Sequence, residues 1–204
     1  MLTLLQLALD KSDNLLSIFE KAKKFLVGDK KKAAEELQKV AEEMMKFLVI
    51  TQEEISNFQG LDFSTGPGSA HARKVFYDIQ SGMMGVRVIA ASGSCNEIKQ
   101  IYQYYLSTWF KDVFGDLSSE FMEVEKIFTD LFYYDTNIIG ATSELEDYLK
   151  KKSMPLLQML DTGDQNLMPF YHEASNELLT IRKKLSDLLS RFLVLKNEFK
   201  LLAS

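Results

Sequence analysis

Histidine and cysteine, the residues that most often serve acid–base, nucleophilic or zinc chemistry near neutral pH, are few in this sequence, which contains only two histidines and one cysteine. Helical di-iron sites use Glu-x-x-His on facing helices, but Gly68 stands three positions before His71 and Pro169 three before His172. A structural zinc site of the Cys/His type needs four ligands, more than the histidines and Cys95 supply. We therefore predict a non-enzymatic protein with no catalytic residue, metal site or cofactor.

One charged residue, Asp135, stands within an apolar series. After residue 116, apolar residues recur every three or four positions, and Asp135 interrupts them. A helical hairpin with its turn at Gly115 would place Asp135 opposite Cys95 and its polar neighbours. The predicted polar layer consists of Asp135, Ser92, Ser94, Cys95, Asn96 and Tyr134. We favour a structural layer, since buried carboxylates accept hydrogen bonds that fix register. A small-molecule or ion site is the alternative.

Aromatic residues are concentrated near the same turn. Tyr102, Tyr104 and Tyr105 are so close in sequence that one helix cannot direct all three into a core, and Trp109 follows them. Tyrosine and tryptophan are enriched at protein interfaces. Core packing accounts for most of this aromatic cluster, and for the remainder we predict an interaction surface, to which Tyr102, Tyr104, Tyr105 and Trp109 are assigned.

A lysine cluster lies at the first predicted turn. It comprises Lys21, Lys23, Lys24, Lys30, Lys31 and Lys32. Such a cluster could bind phosphate groups, acidic proteins or an anionic membrane. Glu20, Glu35 and Glu36 stand close enough to neutralise part of it, so we interpret it as a solvated helix end and leave anion binding open.

Helices must position all these residues, because the apolar periodicity is helical nearly throughout. Three prolines and ten glycines leave long uninterrupted segments. The predicted helices are 2–27, 29–58, 69–113, 116–150, 154–161 and 166–202, with a bend in the third at 91–94. The sequence predicts an all-α fold in one domain, 1–204. Its architecture is an antiparallel up-and-down bundle of four to five long helices plus one short helix, at least four of them longer than about 25 residues.

Composition excludes several classes of function. With 46% hydrophobic and 26% charged residues the chain is typical of a folded domain, and its net charge of −5 argues against nucleic acid as a partner. A single cysteine fits the reducing cytoplasm. The longest weakly charged apolar run, 82–95, contains Arg87 and is shorter than the roughly 20 residues that cross a bilayer. We predict no stable membrane insertion.

Three functional hypotheses remain. We favour an interaction or regulatory bundle that presents a helical face to a protein partner, which could be a second copy of the chain. Its apolar stripes are wide enough to leave edges such as Leu16, Met45 and Leu189. The second hypothesis is a sensor with a polar pocket around Asp135, and the third is a membrane-active protein that exposes 82–95. We also predict that Arg87 pairs with Glu42 or Glu43 across the preceding loop.

Overall fold

The computed structural model describes residues 2–26, 30–82, 85–133 and 138–204, with side chains omitted at 85–87. The helices are α1 Thr3–Lys23, α2 Lys31–Gln59, α3 Gly66–Gln80, α4 Gly85–Ile101, α5 Ser107–Phe114, α6 Ser119–Phe132, α7 Ile138–Thr162 and α8 Leu167–Ala203. A π-helical turn, Tyr102–Leu106, joins α4 to α5 without a break in helical backbone. The described residues contain no strand, so the predicted all-α class is confirmed.

The centre of the bundle is the pair α2 and α8, which pack antiparallel along their lengths. At one end the Gln59 side-chain amide donates to the carbonyl of Ser175, 2.7 Å away. Toward the other end the Lys196 ammonium lies 3.4 Å from the Glu42 carboxylate. Both helices bury one side, and the buried leucine and phenylalanine residues on that side are Leu37, Phe47, Leu48 and Phe58 on α2 and Leu178, Leu185, Leu188, Phe192 and Phe199 on α8. This burial is the main stabilising contribution to the fold.

The other helices pack around this pair. Helices that follow one another in sequence are not always neighbours in space, as they are in a simple up-and-down bundle. α1 packs on α6, α7 and α8. It runs parallel to α8, because Asp10 pairs with Lys184 and Lys23 pairs with Glu198 farther along both helices. α3 packs on α7, whereas α4 packs on α2 and α7. Because α4 lies at the outside of α2, one of its faces is left uncovered.

The predicted third helix, 69–113, is divided in the structure. α3 ends at Gln80, and Gly82 has a φ of +73°, a left-handed conformation that does not continue a right-handed helix. Residues 91–94, where the sequence predicts a bend, lie inside α4 with no break in helical structure. Farther along, the π-helical turn departs from regular α-helical hydrogen bonding and shifts the phase of the helix.

The predicted fourth helix and short helix are also divided differently. Residues 116–150 contain α6 and the start of α7, and α7 continues through Pro155 to Thr162, so no separate helix occupies 154–161. Pro155 lacks the N–H that would bond the carbonyl four residues earlier, yet burial of Leu156 and Ser153 holds this part of α7 in place. Among the described helices, α8 is the longest with 37 residues, followed by α2 with 29 and α7 with 25.

The turn at Gly115 forms where the sequence predicts it. Gly115 ends α5 with a φ of +92°, and the Ser118 hydroxyl caps α6 by accepting a hydrogen bond from the Phe121 amide. Ser118 is therefore the N-cap of α6. The hairpin brings Tyr102 onto Phe128, with ring centroids 4.1 Å apart and the rings nearly parallel. This is the level that a turn centred on Gly115 predicts.

Gly115→Ala should destabilise the chain by about 1–3 kcal/mol, because an L side chain is strained at this φ. Gly93→Ala is the control: position 93 lies inside α4, and an added Cβ would meet no heavy atom within 4 Å. We expect Gly93→Ala to stabilise by about 0.5–1 kcal/mol through helix propensity. Urea unfolding measures both, and effects of the same sign would contradict this assignment.

Candidate functional site

The predicted polar layer around Asp135 does not form one described site. Asp135 and Tyr134 lie outside the described residues. On α4, Ser94 and Cys95 are buried, whereas Asn96 is exposed and Ser92 is half-buried. Successive positions of a helix point in different directions, so these four residues cannot all face one pocket.

Ser94 contacts Glu43 on α2, one of the two carboxylates predicted to pair with Arg87. Its hydroxyl donates to Oε2 of Glu43 at 2.7 Å, and Oε1 of Glu43 accepts a hydrogen bond from the Lys46 ammonium. The Glu43 side chain is only 7% exposed, while that of Lys46 is 59% exposed. The carboxylate is therefore held inside the structure by a cation that lies largely in solvent.

These residues border a groove between α2 and α4, with a volume of about 420 Å³. We name it the α2–α4 groove, and its lining residues are Glu43, Lys46, Val49, Ile50, Ala90, Gly93, Ser94 and Glu97. The small residues Ala90 and Gly93 leave the space that larger side chains would fill. The groove thus combines apolar walls with two carboxylates and one ammonium.

Electrostatics in the groove favour cations. The hydrogen bond to Glu43 raises the pKa of Lys46 above its ordinary value, and the charges of Glu97 and Glu42 raise it further, against the effect of burial. Lys46 therefore stays protonated at neutral pH. A cation that took the place of Lys46 would experience the same negative field.

The predicted pairing of Arg87 with Glu42 or Glu43 concerns a side chain outside the described residues. Both proposed carboxylates have other partners: Glu42 accepts from Gln38 and pairs with Lys196, and Glu43 bonds Ser94 and Lys46. The alignment behind that prediction assumed that α2 and α4 form a hairpin. In the structure Ser94 is the α4 residue that lies level with Glu43, and position 87 is two helical turns earlier on α4.

The lone cysteine lies in the core. Cys95 is a free thiol, 1% exposed, and burial raises its pKa to about 11, although Lys99 opposes the shift. A thiol is nucleophilic as the thiolate, so Cys95 remains protonated and unreactive at neutral pH. Within the described ranges, no group of three or more His, Cys, Asp or Glu residues is arranged to hold a metal ion.

The predicted aromatic surface divides into two parts. Tyr102 stacks on Phe128 and Trp109 packs against Phe110, so both are core residues and the prediction of surface positions for them is wrong. Helical spacing explains the division, because Tyr102 and Trp109 are seven residues apart and share the inward face, whereas Tyr104 lies on the opposite side. Tyr104 and Tyr105 lie on the outside of the π-helical turn.

Tyr104 and Tyr105 differ in their surroundings. Tyr104 is 84% exposed. Tyr105 is half-buried beneath the Lys32 ammonium, which lies 4.7 Å from the ring centroid. Of these two residues, Tyr104 offers the larger uncovered ring surface.

Tyr104 belongs to a continuous outward face. We name as the α4 face the exposed positions that recur every three or four residues, namely Ile89, Gly93, Glu97, Gln100 and Tyr104. Ile89 is 72% exposed at one end, and only Glu97 is charged. Gly93 and Glu97 also line the α2–α4 groove, so face and groove are continuous. The helical spacing of these residues is visible in the sequence, but their exposure depends on which side of α4 meets α2.

A second groove, of about 740 Å³, lies where α1 meets α7 and α8. It is lined in part by Glu177, which accepts hydrogen bonds from the Tyr148 hydroxyl at 2.8 Å and the Lys152 ammonium at 2.9 Å. Both bonds lower the pKa of Glu177. Both oxygens of this carboxylate therefore have donors within the chain, as those of Glu43 do, but the Glu177 side chain is 42% exposed whereas that of Glu43 is 7% exposed.

The other predicted surface features have partners within the chain. Leu16 is fully buried, so its predicted edge position is wrong, whereas Met45 and Leu189 pack partly buried against the core. In the lysine cluster, Lys23 pairs with Glu198 at 2.8 Å and Lys21 lies 3.9 Å from Glu123. These ion pairs agree with interpreting the cluster as a helix end.

Comparison of the chain with protein-family models, curated proteins and solved structures found no match. No helix in the described part of the chain is long and apolar enough to cross a membrane.

Ser94→Ala should destabilise the chain by about 1–3 kcal/mol, because it removes a donor from a buried carboxylate. Combining it with Glu43→Met should cost less than the two single changes together, by about 0.5–3 kcal/mol, because the two side chains interact directly. The half-buried neighbour gives the control, Ser92→Ala, with an expected effect within about 0.5 kcal/mol. Denaturant unfolding of the four variants measures these changes in the free energy of unfolding. Strictly additive effects of Ser94→Ala and Glu43→Met would contradict the Ser94–Glu43 hydrogen bond.

Proposed function

We propose that this chain is a non-enzymatic binding protein that receives a helix of a partner protein along the α4 face. The observation that carries the proposal is the exposure of Ile89 and Tyr104, at 72% and 84%, on one weakly charged face of a continuous helix. The two side chains are separated by about 22 Å at a rise of about 1.5 Å per residue. That length matches four turns of a partner helix.

The physical basis of binding would be burial of these two anchors. Covering an exposed isoleucine or aromatic side chain contributes about 1.5–3 kcal/mol, and helices commonly bind through anchors spaced by whole turns. Gly93 and Gln100, between the anchors, present no bulk or charge that would keep a partner away. The single buried thiol, Cys95, agrees with a reducing, cytoplasmic location, which is part of the proposal.

A small-molecule sensor is the second candidate, supported by the α2–α4 groove and its buried Glu43 carboxylate. The site of that candidate is on the α2 side of α4, rather than around Asp135. The membrane-active alternative has less support, because Ala91 and Cys95, within 82–95, are core residues.

Site-specific photocrosslinking tests where the partner binds. A photoreactive residue at Gln100, on the α4 face, should crosslink a partner in lysate of the source cells. The same residue at Asn176, exposed on α8, should not crosslink that partner. Equal capture from both positions, or none from Gln100, would contradict the proposed face.

Charge substitutions test the anchors themselves. Ile89→Asp and Tyr104→Asp should each reduce capture from Gln100 at least about tenfold, which corresponds to about 1.4 kcal/mol, without altering the melting temperature appreciably. The matched control is Leu179→Asp, at a 42% exposed leucine on α8, which should leave capture unchanged. A similar loss in all three variants would show that the effect is not specific to this face.

A further inference from the structure

We infer that the α2–α4 groove binds an alkylammonium group, supplied by a lysine of the partner helix, which takes the place of Lys46 at Glu43. The inference rests on the proposed function for the source of the lysine. Its structural basis is the groove itself and the contrast between a buried carboxylate and its exposed cation.

Glu43 is buried whereas Lys46 is largely exposed, and this difference favours replacement of the Lys46 ammonium by another ammonium. Removing Glu43 from solvent makes a positive partner necessary, and Lys46 is the cation that bonds it among the described residues. Lys46 holds its place from one turn away on the same helix, with 59% of its side chain in solvent. An exposed lysine can rotate into water at small cost, since its ammonium is then fully hydrated.

The shape of the groove accommodates the stem of an incoming lysine. Val49 and Ile50 supply an apolar wall for its methylenes, and Ala90 and Gly93 leave the opposite wall open. A Cβ built at Gly93 meets no heavy atom within 4 Å, so the entrance beside α4 is free. Because Gly93 also belongs to the α4 face, a helix lying on that face passes the entrance of the groove.

The hydrogen bonds of Glu43 select an ammonium over a guanidinium. Oε2 already accepts from the Ser94 hydroxyl at 2.7 Å, and Oε1 accepts from Lys46. When Lys46 leaves, Oε1 has no donor, whereas Oε2 still accepts from Ser94. A guanidinium gains its advantage by bonding both carboxylate oxygens at once, and here it would have to share Oε2 with the Ser94 hydroxyl. Glu97 at the rim adds a second negative charge.

The first arm of the test measures the groove without any partner. n-Butylammonium is titrated into the full-length chain and followed by amide NMR, with n-butanol as the uncharged control. We expect shifts at Ala90, Gly93 and Ser94, and binding at least about threefold tighter in Lys46→Met than in the unaltered chain, because the competing ammonium is gone. Equal or weaker binding in Lys46→Met would overturn the inference.

A second variant tests the carboxylate. Glu43→Gln should abolish the shifts, while its amide oxygen still accepts from Ser94 and preserves the fold, as melting would verify. Glu97→Gln, at the rim, is the matched control and should weaken binding by less than Glu43→Gln. Unchanged titration of the Glu43→Gln protein would show that the cation binds elsewhere. n-Butylguanidinium binding more tightly than n-butylammonium would overturn the preference for lysine.

The other arm identifies the source of the cation. Glu43→Gln should reduce crosslinking of the partner from Gln100 at least about threefold, whereas Glu97→Gln should reduce it less. If Gln100 crosslinks the partner, Asn176 does not, and Glu43→Gln leaves crosslinking from Gln100 unchanged, the proposed function stands and the lysine contact is overturned. Binding of n-butylammonium with no partner captured from Gln100 would assign the groove to a free amine and overturn the partner as its source.

Discussion

The packing of α2 against α8 is the interaction on which the rest of the structure depends. These are the two longest described helices, and their buried leucines and phenylalanines run the length of the bundle. At one end the Tyr171 hydroxyl donates to the Gln59 carbonyl at 2.6 Å, which fixes the register of the pair. Because α8 occupies one side of α2, α4 packs on another side, and no helix of the described residues covers the outer surface of α4.

That arrangement explains why the candidate site lies on α2 and α4. Glu43 is buried by α4, and Ser94 reaches it from a helix whose neighbours at positions 90 and 93 are too small to close the gap. A larger residue at position 93 would narrow the entrance without improving the core, since an added Cβ would meet no atom there. The small residue at position 93 therefore contributes both to the α2–α4 groove and to the α4 face.

The sequence predicts features that depend on local chemistry. Helical periodicity identifies most helical segments, and Gly115 marks a turn because its conformation excludes other residues. The stacking of Tyr102 on Phe128 follows from that turn alone. Features that depend on tertiary contacts escape prediction: Gly82 ends α3 by a backbone angle that its sequence context does not require, and Pro155 is tolerated inside α7. The sequence predicts Ser94 in a buried polar layer. Its partner, Glu43, could not be predicted, because the alignment of α4 with α2 depends on α3 lying between them in the chain. Glu43 lies three residues after Val40 and four before Phe47, and this spacing could have identified it as inward-facing.

Amide hydrogen exchange on the isolated chain tests most directly whether α2 and α8 form the stable centre and α4 an outer layer. We expect the slowest exchange in the middle of α2 and α8, and faster exchange in the π-helical turn, where hydrogen bonds are poorer. The buried Trp109 indole N–H nearby has no acceptor among the described residues, which further reduces local stability. Exchange at the π-helical turn and in α4 that is as slow as in α2 and α8 would contradict this organisation, because α4 would then be part of the stable centre rather than a layer attached to it.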